Sequence, residues 1–575
     1  VAEGAAIVAA TNAGTVNFSS HGISDTFGNI IANDGAGTAL STNATNTIGK
    51  DADINIAVTG TQADVSATNV TAINALQAAT TGGTVTATID GVAANLAGLN
   101  ASGANSKSTM ALTIVVDDDV TVAEGAAIVA ATNAGTVNFS SHGISDTFGN
   151  IIANDGAGTA LSTNATNTIG KDADINIAVT GTQADVSATN VTAINALQAA
   201  TTGGTVTATI DGDLAELDDL NASGANGKST MALAITVDDA ASGSAGVTAL
   251  NTISDATTGT VTVASVSGTA TELASLQSSG GSNATQAYTI TVGSAANVAE
   301  GAAIVAATNA GTVNFSSHGI SDTFGNIIAN DGAGTALSTN ATNTIGKDAD
   351  INIAVTGTQA DVSATNVTAI NALQAATTGG TVTATIDGVA ANLAGLNASG
   401  ANSKSNMALT IVVNNYASAA QGANIVNATN VGTIDFSAGG IQDIFSRVSD
   451  GTAVHANVVK VRDKDGDVDI KITGAIADVN ADNVTAINAL GNATTGKIIA
   501  SIDGLAEVLD DLQATATGAD QEYTITVNNV VGAVSGAAIA DATSINNTGV
   551  DFTNGISDIF GNLTTGTGIH ANVAK

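Results

Sequence analysis

Two spacings of apolar residues take turns along this chain. Alternating runs come first: TVNF from Thr15, INIAVTG from Ile54, TVTATID from Thr84 and ALTIVV from Ala111. A period of two puts one set of side chains on a single face, the pattern of a half-buried strand. Between these runs apolar residues recur at three- and four-residue steps: Ile23, Phe27 and Ile30; Val70, Ile73 and Leu76; Val92, Leu96 and Leu99. Such steps line one face of a helix, so each group predicts a short helix, the first starting near Ile23. Asp64, Ser66 and Thr68 are candidate N-caps for the second.

The pattern recurs. VAEGAAIVAATNAGTVNF begins at Val1, Val122 and Val298, and diverged copies begin at Ala419 and Ala533. Within a repeat the strand starts lie 39, 30 and 27 residues apart, and 25 more lead to the next TVNF, at Thr136. One repeat of 121 residues is therefore four strand–helix coils. The step from Val122 to Val298 is longer by 55 residues, which hold two further strand runs, TVTVAS from Thr260 and YTITVGS from Tyr288. Insertion by whole coils is what a stack tolerates, because each coil touches only its neighbours. The expected organisation is a four-coil repeat at 1–121, a six-coil repeat at 122–297, a four-coil repeat at 298–418, a diverged four-coil repeat at 419–532 and a partial repeat at 533–575, with 19 strand starts in all.

Strand–helix–strand alternation with short connections implies parallel strands and right-handed crossovers. The fold class expected is an α/β solenoid with coils of about 25–39 residues; the alternative is an all-β solenoid. The coil size matches the leucine-rich-repeat class, but the LxxLxLxxN signature is absent.

Composition narrows the core. The 575 residues include no Pro, Cys or Trp, and aromatics are 2%. Such a chain buries small side chains in thin layers. At 44% hydrophobic residues and a mean hydropathy of +0.28 it is far too apolar for a disordered chain. A net charge of −37 excludes a general nucleic-acid binder, disfavours anionic membranes and favours cations. No run approaches 18 apolar residues, so direct membrane insertion is not expected. The chain opens mid-pattern at Val1 and stops mid-pattern at Lys575. The expectation is a segment of a longer array that associates end to end with copies of itself or with further repeats.

The phrases VTAINALQAATTGGTVTATIDGVAANLAGLNASG and VTALNTISDATTGTVTVASVSGTATELASLQSSGGSNATQAYTITVGS resemble repeats of giant bacterial cell-surface proteins, notably those of marine cyanobacteria. The resemblance covers most of the chain. It implies an extracellular, cell-surface protein related to type I-secreted, calcium-binding surface proteins. The GGxGxDxxx calcium repeat itself is absent, so any calcium claim rests on this chain's own acids.

Those acids cluster where strands end: Asp90, Asp211 and Asp503 in IDG, then Asp117, Asp118 and Asp119, then Asp238 and Asp239. In a parallel stack they share one edge, where like charges repel unless screened or bridged. Ca²⁺ takes six to eight oxygen ligands and suits such an edge. The sharpest local motif is Asp463, Asp465, Asp467 and Asp469 around Gly466, which resembles the first half of an EF-hand loop; the closing Glu is missing, with Gly474 in its place. Asp51 and Asp53 are its reduced form in the first repeat. The alternative for all of them is a solvated acidic edge. His21, Ser24 and Asp25 sit together, but a triad is spatial, not sequential; capping of the helix near Ile23 is the better reading. DGAGTA from Asp34 lacks the Lys and Ser/Thr of a phosphate loop and reads as an insert loop.

Near-identical copies argue against catalysis, which needs one preorganised site. The expected function is structural, as a subunit or segment of an extracellular surface layer, sheath or filament. The alternative is the stalk of a giant calcium-dependent adhesin.

Overall fold

The computed structural model describes residues 1–11, 14–18, 21–31, 38–139, 142–153, 159–280, 284–315, 318–329, 335–401, 405–513, 520–544 and 549–575. Residues 34–37 of the DGAGTA run lie outside them. Contacts divide the chain into two units. The first is Val1–Gly268 with Ser275–Thr291 and Ala306–Thr312; the second is Thr269–Ala274, Val292–Val305 and Val313–Lys575.

The first unit is built of parallel sheets whose strands alternate with helices. Ile23–Thr26 pairs with Ile56–Gln62, which pairs with Thr84–Gly91, then Thr109–Val116, then Val137–Asn138. A bridge from Val120 to Ile144 leads on to Gly143–Thr147. There the order continues through Asn176–Gln183, Thr205–Gly212, Thr230–Val237, Thr260–Gly268 and Thr285–Val292. The second unit repeats the plan in Ile320–Thr323, Ile353–Gln359, Thr381–Gly388, Asn406–Val413 and Ile434–Asp435. A further sheet follows in Ile441–Asp443, Ile470–Val479, Lys497–Gly504, Asp520–Val527 and Val550–Phe552. Ser449–Asp450 and Ala453–Val454 form a short antiparallel pair. Among the described residues no sheet closes into a barrel. The helices between the strands exclude the all-β alternative.

The periodicities act as expected in most places. Met110, Leu112, Ile114 and Val116 turn inward and are fully buried, while Thr109 and Thr113 on the other face are exposed. Val70, Ile73 and Leu76 are buried on the helix Ala67–Ala79, whose N-terminus is closed by a capping box between Ser66 and Asn69. Leu96 and Leu99 are buried, but Val92 is 41% exposed because the helix, Ala93–Leu96, begins after it.

One expectation is corrected. Ile23, Phe27 and Ile30 do not share a helix: Ile23–Thr26 is a strand, Ile23 opposite Ile56 and Thr26 opposite Thr59, and only Phe27–Ile30 is helical. The strand wins because Ile–Ser–Asp–Thr also alternates and each residue finds a ladder partner. The helical spacing arose across a strand end and one helical turn. TVNF is correspondingly shorter than expected. Thr15–Phe18 carries no strand, and in the second repeat only Val137–Asn138 does. Val137 pairs back to Ile114, whereas Ile144 pairs forward to Ile177. One level of the sheet is thus made in two pieces, so the 19 strand starts do not map one to one onto strands.

Consecutive levels are matched in volume. Gln77 is buried on its helix and donates to Ala101 O at 2.9 Å and Ser108 O at 3.2 Å. At the same helix position Ser254 is small, and the amide comes instead from the facing strand, where Gln286 meets Ser254 Oγ at 2.7 Å. At Gly491 even a Cβ would collide with Gln521 Nε2. Tyr288 and Tyr523 accompany the strand-borne amides, and both are buried.

The turns are equally tight. A Cβ on Gly83 would land on the backbone carbonyl of Ile54, whereas one on Gly28, in Phe27–Ile30, would meet nothing within 4 Å. Gly83→Ala should therefore lower stability by roughly 1–3 kcal/mol or more through overpacking, and Gly28→Ala should leave it unchanged or raise it by about 0.5–1 kcal/mol. Denaturant melts of the two variants check this.

Candidate metal centre

Many acids in this chain hold backbone. Asp118 Oδ1 accepts from Ala93 N at 2.6 Å, at the start of the helix Ala93–Leu96 one level earlier. Asp239, Asn415 and Asn529 take the same place toward Leu214, Ala390 and Ala506, at 2.7–2.8 Å. Asp146 Oδ2 and Asp322 Oδ2 accept from Val122 N and Val298 N, each at 3.0 Å. Burial raises the pKa of Asp322, but hydrogen bonds from the Asn326 amide, Val298 N and Thr323 N outweigh it and hold the carboxyl below its ordinary range. Asp322 also lines a pocket of about 430 Å³ with Asn297, Asn326 and Ser338. Its oxygens there are already supplied with donors.

This accounts for most of the acids singled out in the sequence. Asp51 Oδ2 accepts from Phe18 N at 2.8 Å, and its counterparts Asp172 and Asp348 accept from Phe139 N and Phe315 N. Asp53 accepts from Thr81 Oγ1 at 3.4 Å. Asp119 accepts from Gly143 N at 3.1 Å and lies 3.7 Å from His142 Nδ1. The run resembling an EF-hand is distributed in the same way. Asp463 pairs with Arg462 at 2.6 Å, and Asp469 Oδ1 accepts from Lys497 N at 2.7 Å. Asp465 is buried and accepts from Phe436 N at 2.6 Å. Burial, with Asp467 beside it, pushes Asp465 up to about 6, while the hydrogen bond to Asp465 holds Asp467 below its ordinary value. Asp463, Asp465 and Asp469 thus each have a partner of their own, while Asp467 shares a hydrogen bond with Asp465. The histidine expectation shifts too: His455 and His570 cap helices through Nδ1, which accepts from Asn457 N and Asn572 N. The helix nearest Ile23 among the described residues is Phe27–Ile30, and Thr26, not His21, stands at its N-cap position.

Three carboxylates do converge. Asp185, Asp211 and Asp238 bring oxygens within 4.8 Å of one another, the one such group among the described residues. They come from consecutive levels. Asp185 sits before the helix Ala188–Ala200 with φ of 50°, Asp211 lies in the strand Thr205–Gly212, and Asp238 follows the strand Thr230–Val237. Two bonds set the geometry: Asp185 N donates to Asp211 Oδ1 at 2.6 Å, and Asp238 N donates to Gly212 O at 3.0 Å. Desolvation first, then the charges of Asp211, Asp185, Asp213 and Asp239, raises the pKa of Asp238. A neighbouring pocket of about 210 Å³ is lined by Asp185, Ser187, Asp213 and Glu216. Glu216 turns Oε2 inward, with no donor among the described residues.

The other repeats show what replaces the third carboxylate. In the first, Asp64, Asp90 and Asp117 hold the same places: Asp64 N donates to Asp90 Oδ1 at 2.6 Å, and desolvation, Asp90 and Asp64 raise Asp117. In the third and fourth, the last position is Asn414 or Asn528, whose amide donates to Asp387 or Asp503 at 3.3 and 2.7 Å. An amide supplies there the positive dipole that the acidic versions lack. Asp117 and Asp238 were legible in the sequence as edge acids. Asp185 was missed, since only the level spacing brings it to Asp211.

No protein-family model and no curated protein matches this chain.

A pKa raised in the folded state means that the native chain binds its proton more tightly than the unfolded chain, so the group's stabilising contribution is lost as pH rises through the folded pKa. With chelator present, wild-type stability should therefore carry a component that falls as pH rises above the ordinary carboxylate range. The double variant Asp117→Asn, Asp238→Asn should show a smaller component, the part that comes from the raised Asp465 remaining. Thermal melts from pH 4 to 7 on both proteins measure it.

Proposed function

We propose that this chain is a non-catalytic structural protein of the cell exterior, a solenoid segment of a surface layer, sheath or filament, whose acidic triad Asp185, Asp211 and Asp238 takes up calcium. One observation carries the reading: the polar side chains repeated in every copy are consumed in holding backbone between levels. Asn74 is representative. Its amide donates to Gly98 O at 2.9 Å and its oxygen accepts from Asn100 N at 2.7 Å; Asn195, Asn251, Asn371 and Asn488 repeat the donation. Such investment favours a stiff periodic body over a pocket for chemistry. The resemblance to giant repetitive cell-surface proteins points the same way, and in such an array the partners are further repeats or copies of the same chain. The charge of −37 opposes nucleic acid. No described helix is long and apolar enough to cross a membrane.

Calcium fits the triad by charge and by oxygen chemistry. Its action is linkage: a ligand that binds only the folded chain at 100 times its Kd adds about 2.7 kcal/mol. Calcium should raise the melting midpoint of the wild-type chain, chelator should remove the gain, and the Asp117→Asn, Asp238→Asn variant should show little of it. An unchanged midpoint in the wild type removes calcium from the proposal. Antibody against the chain should label intact, unpermeabilised cells as a continuous coat or as filaments. Labelling confined to the cell interior would overturn the structural reading.

A further inference from the structure

Val1–Gly91, Val122–Gly212 and Val298–Gly388 are one sequence written three times. Their level-to-level contacts are also the same. Ile23 faces Ile56, Ile144 faces Ile177 and Ile320 faces Ile353; on the next ladder Ile56 faces Val85, Ile177 faces Val206 and Ile353 faces Val382. All three interrupt that second ladder at the same place, after Ala57, Ala178 and Ala354. The clamp at the strand start is repeated as well: Thr84 N, Thr205 N and Thr381 N donate to Asn55, Asn176 and Asn352 Oδ1, each at 2.8 Å. A level therefore meets the same surface whichever of the three copies it stacks on.

We infer that a level of one chain is completed by the matching level of a second copy, so that chains join by exchange of whole repeats in registers offset by the repeat spacing. Since the interface is chemically identical within and between chains, only tethering separates the two. A short flexible connection gives an effective concentration on the order of mM, so intrachain stacking prevails in dilute solution and exchange grows with chain concentration. The donor is any transiently opened level, whose bare strand edge templates another strand. The contact is heterologous: the patch from one copy meets a different patch on another, which permits chains of subunits. The fourth repeat is marked against mixing. Gln442 faces Lys471 there, Lys497 replaces the threonine of the clamp, and Lys497 Nζ pairs with Glu522 at 2.7 Å. This inference concerns the purified chain and stands apart from the surface-layer reading.

The chain has no cysteine, so cysteine pairs can be introduced cleanly. Ser24 faces Ala57 within its own repeat, and Ser321 faces Ala354. Parallel strand neighbours lie about 4.8 Å apart, within disulfide reach. Ser24→Cys and Ala354→Cys chains are unfolded together, refolded at rising concentration, oxidised and sized without reductant. The expected result is a mixed disulfide dimer whose yield rises with concentration. Ser24→Cys with Lys471→Cys should stay at background. A Ser24→Cys, Ala57→Cys chain reports that the site closes within one folded molecule. Background mixed dimer with full closure in that chain would overturn the inference. So would equal dimer with Lys471→Cys, which would mean unspecific association.

Discussion

A parallel sheet must return the chain to the same edge at every level, and each return leaves backbone N–H groups that no ladder reaches. The same problem arises at each short helix, whose first donors lack an intrahelical partner. An unmet buried donor costs about 1–3 kcal/mol, and the thin layers of Val, Ile and Ala in this chain have little to set against many such losses. The solution is repeated everywhere: a carboxylate or carboxamide on one level accepts the orphan N–H of a neighbouring level. Asp118 does so for Ala93, Asp146 for Val122 and Asn55 for Thr84. The richness in Asn and Asp follows from it. The absence of proline fits it too, since proline offers no N–H to hold.

Acids in this chain therefore have two fates set by position. Those opposite a backbone donor behave as structural acceptors, and asparagine replaces them freely, as Asn415 does in the place of Asp118. Those that crowd other carboxylates stay electrostatically unbalanced, as in Asp185, Asp211 and Asp238, although Asp211 also accepts from Asp185 N. There the change to Asn414 or Asn528 is a change of chemistry, from a crowd of like charges to a neutral hydrogen bond.

What could be read from the sequence was whatever has a local period. The strand Thr109–Val116 and the helix Ala67–Ala79 announce themselves by alternation and by three-residue steps. The strand Ile23–Thr26 did not, because its four residues run straight into a helical turn and the joint imitates a longer helix. The acids were harder still. Asp463 to Asp469 look like a coordination loop when read along the chain, yet Asp465 and Asp469 answer to Phe436 and Lys497, which lie on other levels. Asp185 looks like a helix cap and becomes part of a triad only through contacts about one level away. Side-chain chemistry in this fold runs across levels, and sequence periodicity runs along them.

The buried amide that moves from helix to strand bears on how such an array grows over generations. Gln77 belongs with Met110 at the matching strand position, while Ser254 and Gly491 belong with the strand amides Gln286 and Gln521. A recombination event that cut between the two members of such a pair would set amide against amide, or set serine or glycine against methionine, with no amide at all. Crossovers that carry the pair together join seamlessly. Gene duplication and loss are thereby channelled to certain junctions, and the array lengthens or shortens in blocks whose boundaries are chosen by packing.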